Sequence, residues 1–304
     1  NVMWGFPHVG VVGGNPDAVR AGIVDIVSRA LKITVELGDL GDVREVIIFG
    51  SAARPGDFVP GLSDVDVLVV TEGAPRRRSL RFYHEIGSYE VRVEATLYSV
   101  DEIERLAEEG STLIHMLRYS IQVYVRGDSV VARLKPRITD HTLQVLRRST
   151  LAALGLALQA YFYGEYRRSV HHTYHSIRHL IRYEVAREGK QIPISDGELL
   201  EVVGADTKDL VLELIELRRA DPGEEEALKY MVKVLERVAS RLKLVAPSLE
   251  HVVRAHRDSR VVDANICEEE GRIAVKLMVV SGMGTRTLKH SVDGVEEVES
   301  ILCI

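Results

Sequence analysis

The chain has little cysteine and no long apolar run. These absences argue against a disulfide-rich secreted domain and against a membrane-spanning protein. Only Cys267 and Cys303 occur among 304 residues, too few for the disulfide framework of a small secreted domain. We expect two reduced core thiols, with a single bridge as the alternative. No apolar stretch is long enough to cross a bilayer, and the first residues lack a signal-peptide pattern. The sequence therefore predicts a cytoplasmic protein without membrane contact.

A strong charge of one sign is also absent. The formal net charge is −6, which argues against broad binding of nucleic acid by the whole surface. A local basic run at residues 76–81 could still attract phosphate, although such runs are more often solvated loops. With 46% hydrophobic and 28% charged residues the composition is that of a globular protein, and the length favours two or three domains.

The hydrophobic periodicity changes twice along the chain. As far as residue 136, β-branched runs such as "VREVIIFG", "VDVLVV", "YEVRVEATLYS" and "QVYVRGD" predict strands, and residues 15–37 and 101–118 predict helices. Later residues predict a run of helices with short connections, as in an antiparallel bundle: 140–162, 165–188, 196–217 and 223–244. After Pro247 the pattern is again typical of strands. The sequence thus predicts an α+β protein with domains at 1–136, 137–248 and 249–304.

Two aspartates at the start of a predicted buried strand are the first chemical signal. Asp64 and Asp66 are two residues apart, so their carboxylates lie side by side on one face of the strand. Adjacent carboxylates repel each other, and a divalent cation such as Mg²⁺ removes that repulsion. Upstream, Gly50 and Ser51 follow another apolar strand, where backbone N–H groups and a hydroxyl can hold phosphate oxygens. These parts predict a site for a metal and a nucleotide.

The spacing of these residues resembles a known family. An apolar residue, Gly50-Ser51, twelve residues and then Asp64-Val65-Asp66 is similar to the signature of the DNA polymerase β nucleotidyltransferase superfamily, in its minimal branch. The resemblance implies that the aspartates bind catalytic metal and that the Gly-Ser loop holds the triphosphate. It also implies a third acid on a later strand. Glu94 matches that position, with Glu90 on the same face as the fallback.

The loop after the Gly-Ser pair departs from the family in one respect. Arg54 falls where minimal members often carry an arginine, and we expect it to bind nucleotide. Pro55 replaces the usual glycine, which follows one place later as Gly56.

The implied activity is metal-dependent transfer of a nucleoside monophosphate. The donor would be an NTP, with ATP expected, and the acceptor a hydroxyl of a small molecule or a protein side chain. The chemistry would use two Mg²⁺ ions, with Mn²⁺ as the alternative, held by Asp64, Asp66 and Glu94.

A histidine-rich helix marks the second domain. His171, His175 and His179 recur at every fourth residue and share one helix face, with His172 beside them. A partly buried polar face at a domain interface, a metal site and a phosphate contact remain open interpretations. The bundle resembles a HEPN domain, on "YGEYRRSVHHTYHSIRHLIR" and the stretches that follow.

Many HEPN domains are ribonucleases, and that function is the alternative enzyme class. Arg167, His172 and Tyr174 fit the nuclease spacing in letters. In nuclease members, however, the motif lies late in the domain, and here no histidine follows Arg218 or Arg219 in that stretch. A regulatory nucleotide-binding module without turnover is the other alternative. For residues 249–304 we expect packing or subunit contact, and subunit contact would make the protein a homodimer.

Overall fold

The computed structural model describes residues 22, 25, 41–54, 56–86, 89–282 and 284–303. Gly22 and Asp25 are helical, and the rest of the helix predicted over residues 15–37 lies outside the described residues. The chain divides into two compact units, residues 1–142 and 143–304. The division into three domains stays a prediction.

The first unit contains a mixed five-stranded sheet. Its strands are β1 (Val43–Phe49), β2 (Val65–Thr71), β3 (Ser79–Ile86), β4 (Tyr89–Ser99) and β5 (Ile121–Val125). They lie in the order β3-β4-β2-β1-β5, in which only the β2–β4 pair is parallel. Two helices follow β4, α1 (Val100–Glu109) and α2 (Thr112–Met116). The predicted helix at 101–118 is therefore two shorter helices, because Gly110 ends α1 in a left-handed conformation.

Both faces of the central strands are buried, which explains their continuous apolar runs. On one face Val65 and Val67 pack into a first core cluster. On the other face Leu68 packs with Ile103 of α1 and Ile114 of α2. Asp66 lies on this second face, two residues before Leu68 along the strand. The face therefore changes from apolar to acidic toward the start of β2.

A buried carboxylate fixes the end of the sheet. Glu45 on β1 has no exposed surface and accepts hydrogen bonds from Gln122 (2.8 Å), Ser129 Oγ (2.6 Å) and the backbone N–H groups of Val130 (2.8 Å) and Val131 (3.1 Å). These donors account for the burial of a charged group in the core. The contacts join the segment after β5 to β1.

Helices make up most of the chain between residues 140 and 255. They are α3 (Asp140–Phe162), α4 (Tyr166–Arg187), α5 (Asp196–Val202), α6 (Ala205–Leu217), α7 (Glu224–Leu242) and α8 (Leu249–Ala255). The predictions at 140–162, 165–188 and 223–244 are confirmed to within two residues at each end. The prediction of one helix at 196–217 is wrong, because the backbone is extended at Val203 and Gly204 becomes the N-cap of α6.

The last strands form a separate antiparallel sheet, as the sequence pattern predicts. Its strands are β6 (Arg260–Glu269), β7 (Arg272–Ser281), β8 (Gly284–Ser291) and β9 (Gly294–Val298), paired in sequence order. The inner face contributes Val275 and Leu277 to a core that also contains Leu154 of α3 and Val234 of α7. Arg147 of α3 donates two hydrogen bonds, of 2.6 and 2.7 Å, to Glu268. The second unit therefore has one shared core of helices and sheet.

The expectation of two reduced thiols is wrong. Cys267 on β6 is bonded to Cys303, with their Cα atoms 5.5 Å apart and a sequence separation of 36. Neighbouring contacts hold the same tail: Asn265 donates to the Ile301 carbonyl (3.4 Å) and Lys276 to the Leu302 carbonyl (2.9 Å). The single bridge, which the sequence left as the alternative, is the pairing that forms.

In the part of the chain that the structure describes, no helix combines the length and apolarity needed to cross a membrane.

Candidate functional site

The Gly50-Ser51 turn lies directly against one of the acids. Strand β1 ends at Phe49, and a 3₁₀ turn covers Gly50–Ala53. Gly50 has φ +71°, a conformation that strains any other L-residue, and a methyl group on its Cα would overlap the Asp66 carboxylate. Glycine is therefore required at this position for two reasons: the backbone conformation of the turn, and the close approach of the backbone to the Asp66 carboxylate.

The sheet register brings the three predicted acids together. Asp66 is opposite Phe49 on β1 and opposite Glu94 on β4. Asp64 precedes Asp66 by two residues and shares its face, while Val65 between them is buried on the opposite face. Three carboxylates therefore lie on one face of two neighbouring strands, beside the Gly50 turn.

The same register distinguishes the two candidates for the third acid. Glu94 has a cross-strand partner on β2, whereas Glu90 is opposite Glu85 on β3, before the β2–β4 pairing begins at Val93. The position of Glu94 is thus adjacent to Asp66, and that of Glu90 is not.

Two arginines pair with these acids, and neither pairing was expected from the sequence, in which Arg81 was noted only as the end of the basic run at residues 76–81. Arg92, two residues before Glu94 on β4, donates a hydrogen bond to Asp64. Arg81 of β3 is opposite Glu94 and donates to its Oε1 at 2.9 Å. These carboxylates raise the pKa of both guanidinium groups, chiefly through the hydrogen bonds. The alternation of β4 places Arg92 on the acidic face, but the partner of Arg81 follows only from the register.

With these pairs in place, the acids do not form a ready-made metal cage. Among the residues that the structure describes, no group of three or more His, Cys, Asp or Glu side chains is arranged to hold a metal ion. The donor chemistry nevertheless fits Mg²⁺, which prefers a few carboxylate oxygens together with substrate phosphates. The adjacent Gly50 backbone lies so close to the Asp66 carboxylate that a Cβ atom would not fit between them. The residues therefore fit a divalent metal once the carboxylates exchange their arginine partners.

Arg54 lies in the same loop but is turned into the protein. Its side chain is buried and its Nε donates to Asp57 at 2.6 Å, also buried. Its Nη1 is buried without a hydrogen-bond partner among the described residues. This pair ties the loop between β1 and β2 to itself, and the nucleotide contact of Arg54 stays a prediction.

In the second unit, three histidines of α4 form a row of neighbouring rings with tilted planes. The rings of His171 and His175 are 4.4 Å apart, and those of His175 and His179 are 6.4 Å apart. Burial, with the positive charge of neighbours such as Arg178, holds the pKa of all three well below its usual range. They are therefore neutral at pH 7.

Two of the residues that match the nuclease spacing, Arg167 and Tyr174, belong to a hydrogen-bonded network. Tyr174 has no exposed surface and donates to Asp196, whose other carboxylate oxygen accepts from buried Arg218. The Arg218 guanidinium also lies 4.2 Å from the centre of the Tyr174 ring. Arg167 donates to the Arg218 backbone carbonyl at 3.2 Å. Tyr174 is thus a core residue whose hydroxyl serves helix packing.

Comparison with known proteins finds a family similar to the first unit. Residues 27–139 match the family model described as the nucleotidyltransferase domain. The matched part of the chain is therefore similar to a nucleotidyltransferase domain, and it contains the Gly50 turn and all three acids.

Two solved structures are similar to larger parts of the chain, each at 15% identity. A nucleotidyltransferase-like protein from Exiguobacterium sibiricum 255-15 aligns over 88% of this chain and 99% of its own, with a TM-score of 0.28. The spectinomycin adenyltransferase AAD(9) from Enterococcus faecialis, solved with ATP and spectinomycin, aligns over 65% of this chain and 92% of its own, with a TM-score of 0.40. No curated protein matches significantly. The HEPN-like assignment of residues 137–248 stays a prediction.

Proposed function

We propose that this chain is a metal-dependent nucleotidyltransferase that moves a nucleoside monophosphate from an NTP to a hydroxyl acceptor. The observation that carries the proposal is the placement of Asp64, Asp66 and Glu94 on one sheet face, against the Gly50 turn. This arrangement lies within the residues that match the nucleotidyltransferase model. ATP is the proposed donor and Mg²⁺ the proposed metal.

A role is proposed for each residue. Asp66, which lies between Glu94 and the Gly50 backbone, is proposed to share a metal with its neighbouring acid and with the nucleotide. Asp64 and Glu94 complete the ligand set once free of their arginines. Held by these carboxylates, two Mg²⁺ ions would neutralise phosphate charge and would lower the pKa of the attacking hydroxyl. The Gly50 backbone and the Ser51 hydroxyl are proposed to hold phosphate oxygens, and Arg54 to keep the loop in shape.

The acceptor is proposed to be a small molecule or a protein side chain. The net charge of −6 argues against broad binding of nucleic acid, so a nucleic-acid end is not the proposed acceptor. The ribonuclease alternative is not carried forward, because Tyr174 of its motif has no exposed surface. The homodimer and the cytoplasmic location stay predictions.

Pyrophosphate release tests the proposal directly. The protein is incubated with Mg²⁺ and each α-labelled NTP, alone and with a panel of hydroxyl compounds, and both pyrophosphate and label transfer are measured. Glu94→Gln should abolish release, whereas Glu90→Gln is the matched control on the same strand and should retain it. Release that persists in Glu94→Gln would contradict the site. Nucleotide binding without release for every acceptor would instead support the regulatory-module alternative.

A further inference from the structure

Two acids of the proposed site, Asp64 and Glu94, are neutralised by arginines from the same sheet face. Arg81, Glu94 and Asp66 occupy one row across strands β3, β4 and β2. Arg92 lies on that face two residues before Glu94 and is bonded to Asp64. Acidic and basic side chains thus alternate over the surface where a metal and a triphosphate would bind.

These ion pairs are open to solvent and can be exchanged. The side chains of Arg81 and Arg92 are 54% and 36% exposed, and those of Glu94 and Asp64 are each 34% exposed. Ion pairs with this degree of exposure stabilise a fold only weakly, since water screens them. The arrangement therefore serves the fold little, and a stronger ligand for the carboxylates can displace the arginines.

A divalent cation and an arginine compete for the same carboxylate oxygens. A metal bound by Asp64 or Glu94 repels the nearby guanidinium and removes its hydrogen-bond acceptor. The displaced guanidinium then needs a new anionic partner, and its planar set of donors matches phosphate oxygens well. A metal that arrives with a triphosphate supplies both changes at once, whereas a metal alone leaves two cations unpaired beside it.

We propose that Arg81 and Arg92 are exchange residues that couple metal binding to nucleotide binding. In the free protein each one neutralises a metal-binding carboxylate. When metal and NTP bind together, both arginines transfer to phosphate oxygens of the nucleotide. The proposal rests on the proposed function, because it concerns the same site. It makes the chain bind metal weakly without nucleotide and bind the two strongly together.

Mn²⁺ binding measured by electron paramagnetic resonance, without and with a non-hydrolysable ATP analogue, separates these effects. The variants are Arg81→Ala/Arg92→Ala and the charge-retaining Arg81→Lys/Arg92→Lys. Arg105→Ala is the matched control, because Arg105 is exposed and paired with Glu109 in the same unit but lies on helix α1. Asp66→Asn reports whether the bound Mn²⁺ is at this site.

The double alanine variant should bind Mn²⁺ alone at least about fivefold more tightly than the wild type, because two positive charges have been removed. It should also bind the Mn²⁺-nucleotide complex about tenfold more weakly, since two phosphate contacts are gone. The lysine variant should recover part of both effects, and Arg105→Ala should change neither. An unchanged value for either affinity in the double alanine variant overturns the exchange.

Different results would refute the proposed function and this inference. If Asp66→Asn does not reduce Mn²⁺ binding even with nucleotide present, the metal site itself is misassigned and the inference falls with it. If Asp66→Asn abolishes binding while the arginine variants behave like the wild type, only the exchange is refuted.

Discussion

Replacing Gly50 by alanine should damage the site more than the fold. At φ +71° an L-residue costs about 1–2 kcal/mol. The new methyl group would also overlap the Asp66 carboxylate and force that side chain away from its rotamer, which adds about 1 kcal/mol. A loss of about 2–3 kcal/mol corresponds to a fall in Tm of about 8–12 °C for a unit of this size. Because the displaced carboxylate is a proposed metal ligand, pyrophosphate release should fall about 100-fold.

Gly56→Ala is the control that separates these two causes. Gly56 has φ +78° in the same loop, and a methyl group there would meet nothing within 4 Å. The variant should show the backbone cost alone, a fall of about 4–8 °C, with pyrophosphate release close to the wild-type rate. Calorimetry and the release assay on both variants give the comparison. Equal losses of release in the two variants would refute the argument that Gly50 is needed for its contact with Asp66.

Three further predictions concern the fold. Glu45→Ala leaves Gln122, Ser129 and two backbone N–H groups without their acceptor. The free energy of unfolding, measured with denaturant, should therefore fall by about 3–5 kcal/mol, and a fall under about 1 kcal/mol would contradict the role given to Glu45. Cys267→Ser/Cys303→Ser opens a loop with a sequence separation of 36, and chain entropy predicts a loss of about 4 kcal/mol in the same assay, which reducing agent should reproduce in the wild type. Burial lowers the pKa of His256, and lowers that of His290 to about 4, where their Nε2 atoms are 2.9 Å apart. Because the unfolded chain takes up protons near pH 6.5, stability should be complete above that pH and fall between pH 6.5 and 4, in the same direction as the buried histidines of α4. His290→Gln should flatten this slope in thermal unfolding at successive pH values, and an unchanged slope would show that the pair does not contribute.

The acids of the site could be predicted because their relation is local. Asp64 and Asp66 are two residues apart, and the strict alternation around Glu94 marks which face it occupies. Long helices such as α3 could be predicted for the same reason, since the 3.6-residue period repeats over 23 residues. The break before Ala205 could have been recognised from Gly204 and the acidic first turn that follows it.

Contacts between distant parts of the chain could not be predicted in this way. The pairing of Arg81 with Glu94 depends on the strand register, and the bond between Cys267 and Cys303 depends on the path of the C-terminal tail. The sequence shows Glu45 only as a polar residue in an apolar strand, and its burial and its four hydrogen-bond donors follow from the fold. In each case the sequence gives the residue type, and the tertiary fold supplies the partner that defines its role.

The most direct test of the account is calorimetry of ATP, GTP, CTP and UTP with Mg²⁺, on the wild type and on Asp64→Asn/Asp66→Asn. The wild type should bind at least one nucleotide, with a Kd on the order of micromolar, and the variant should lose that binding. The substituted side chains keep their shape, so the fold should be retained in the control melt. Equal affinity in the two proteins would contradict the claim that these carboxylates hold the metal and, through it, the nucleotide.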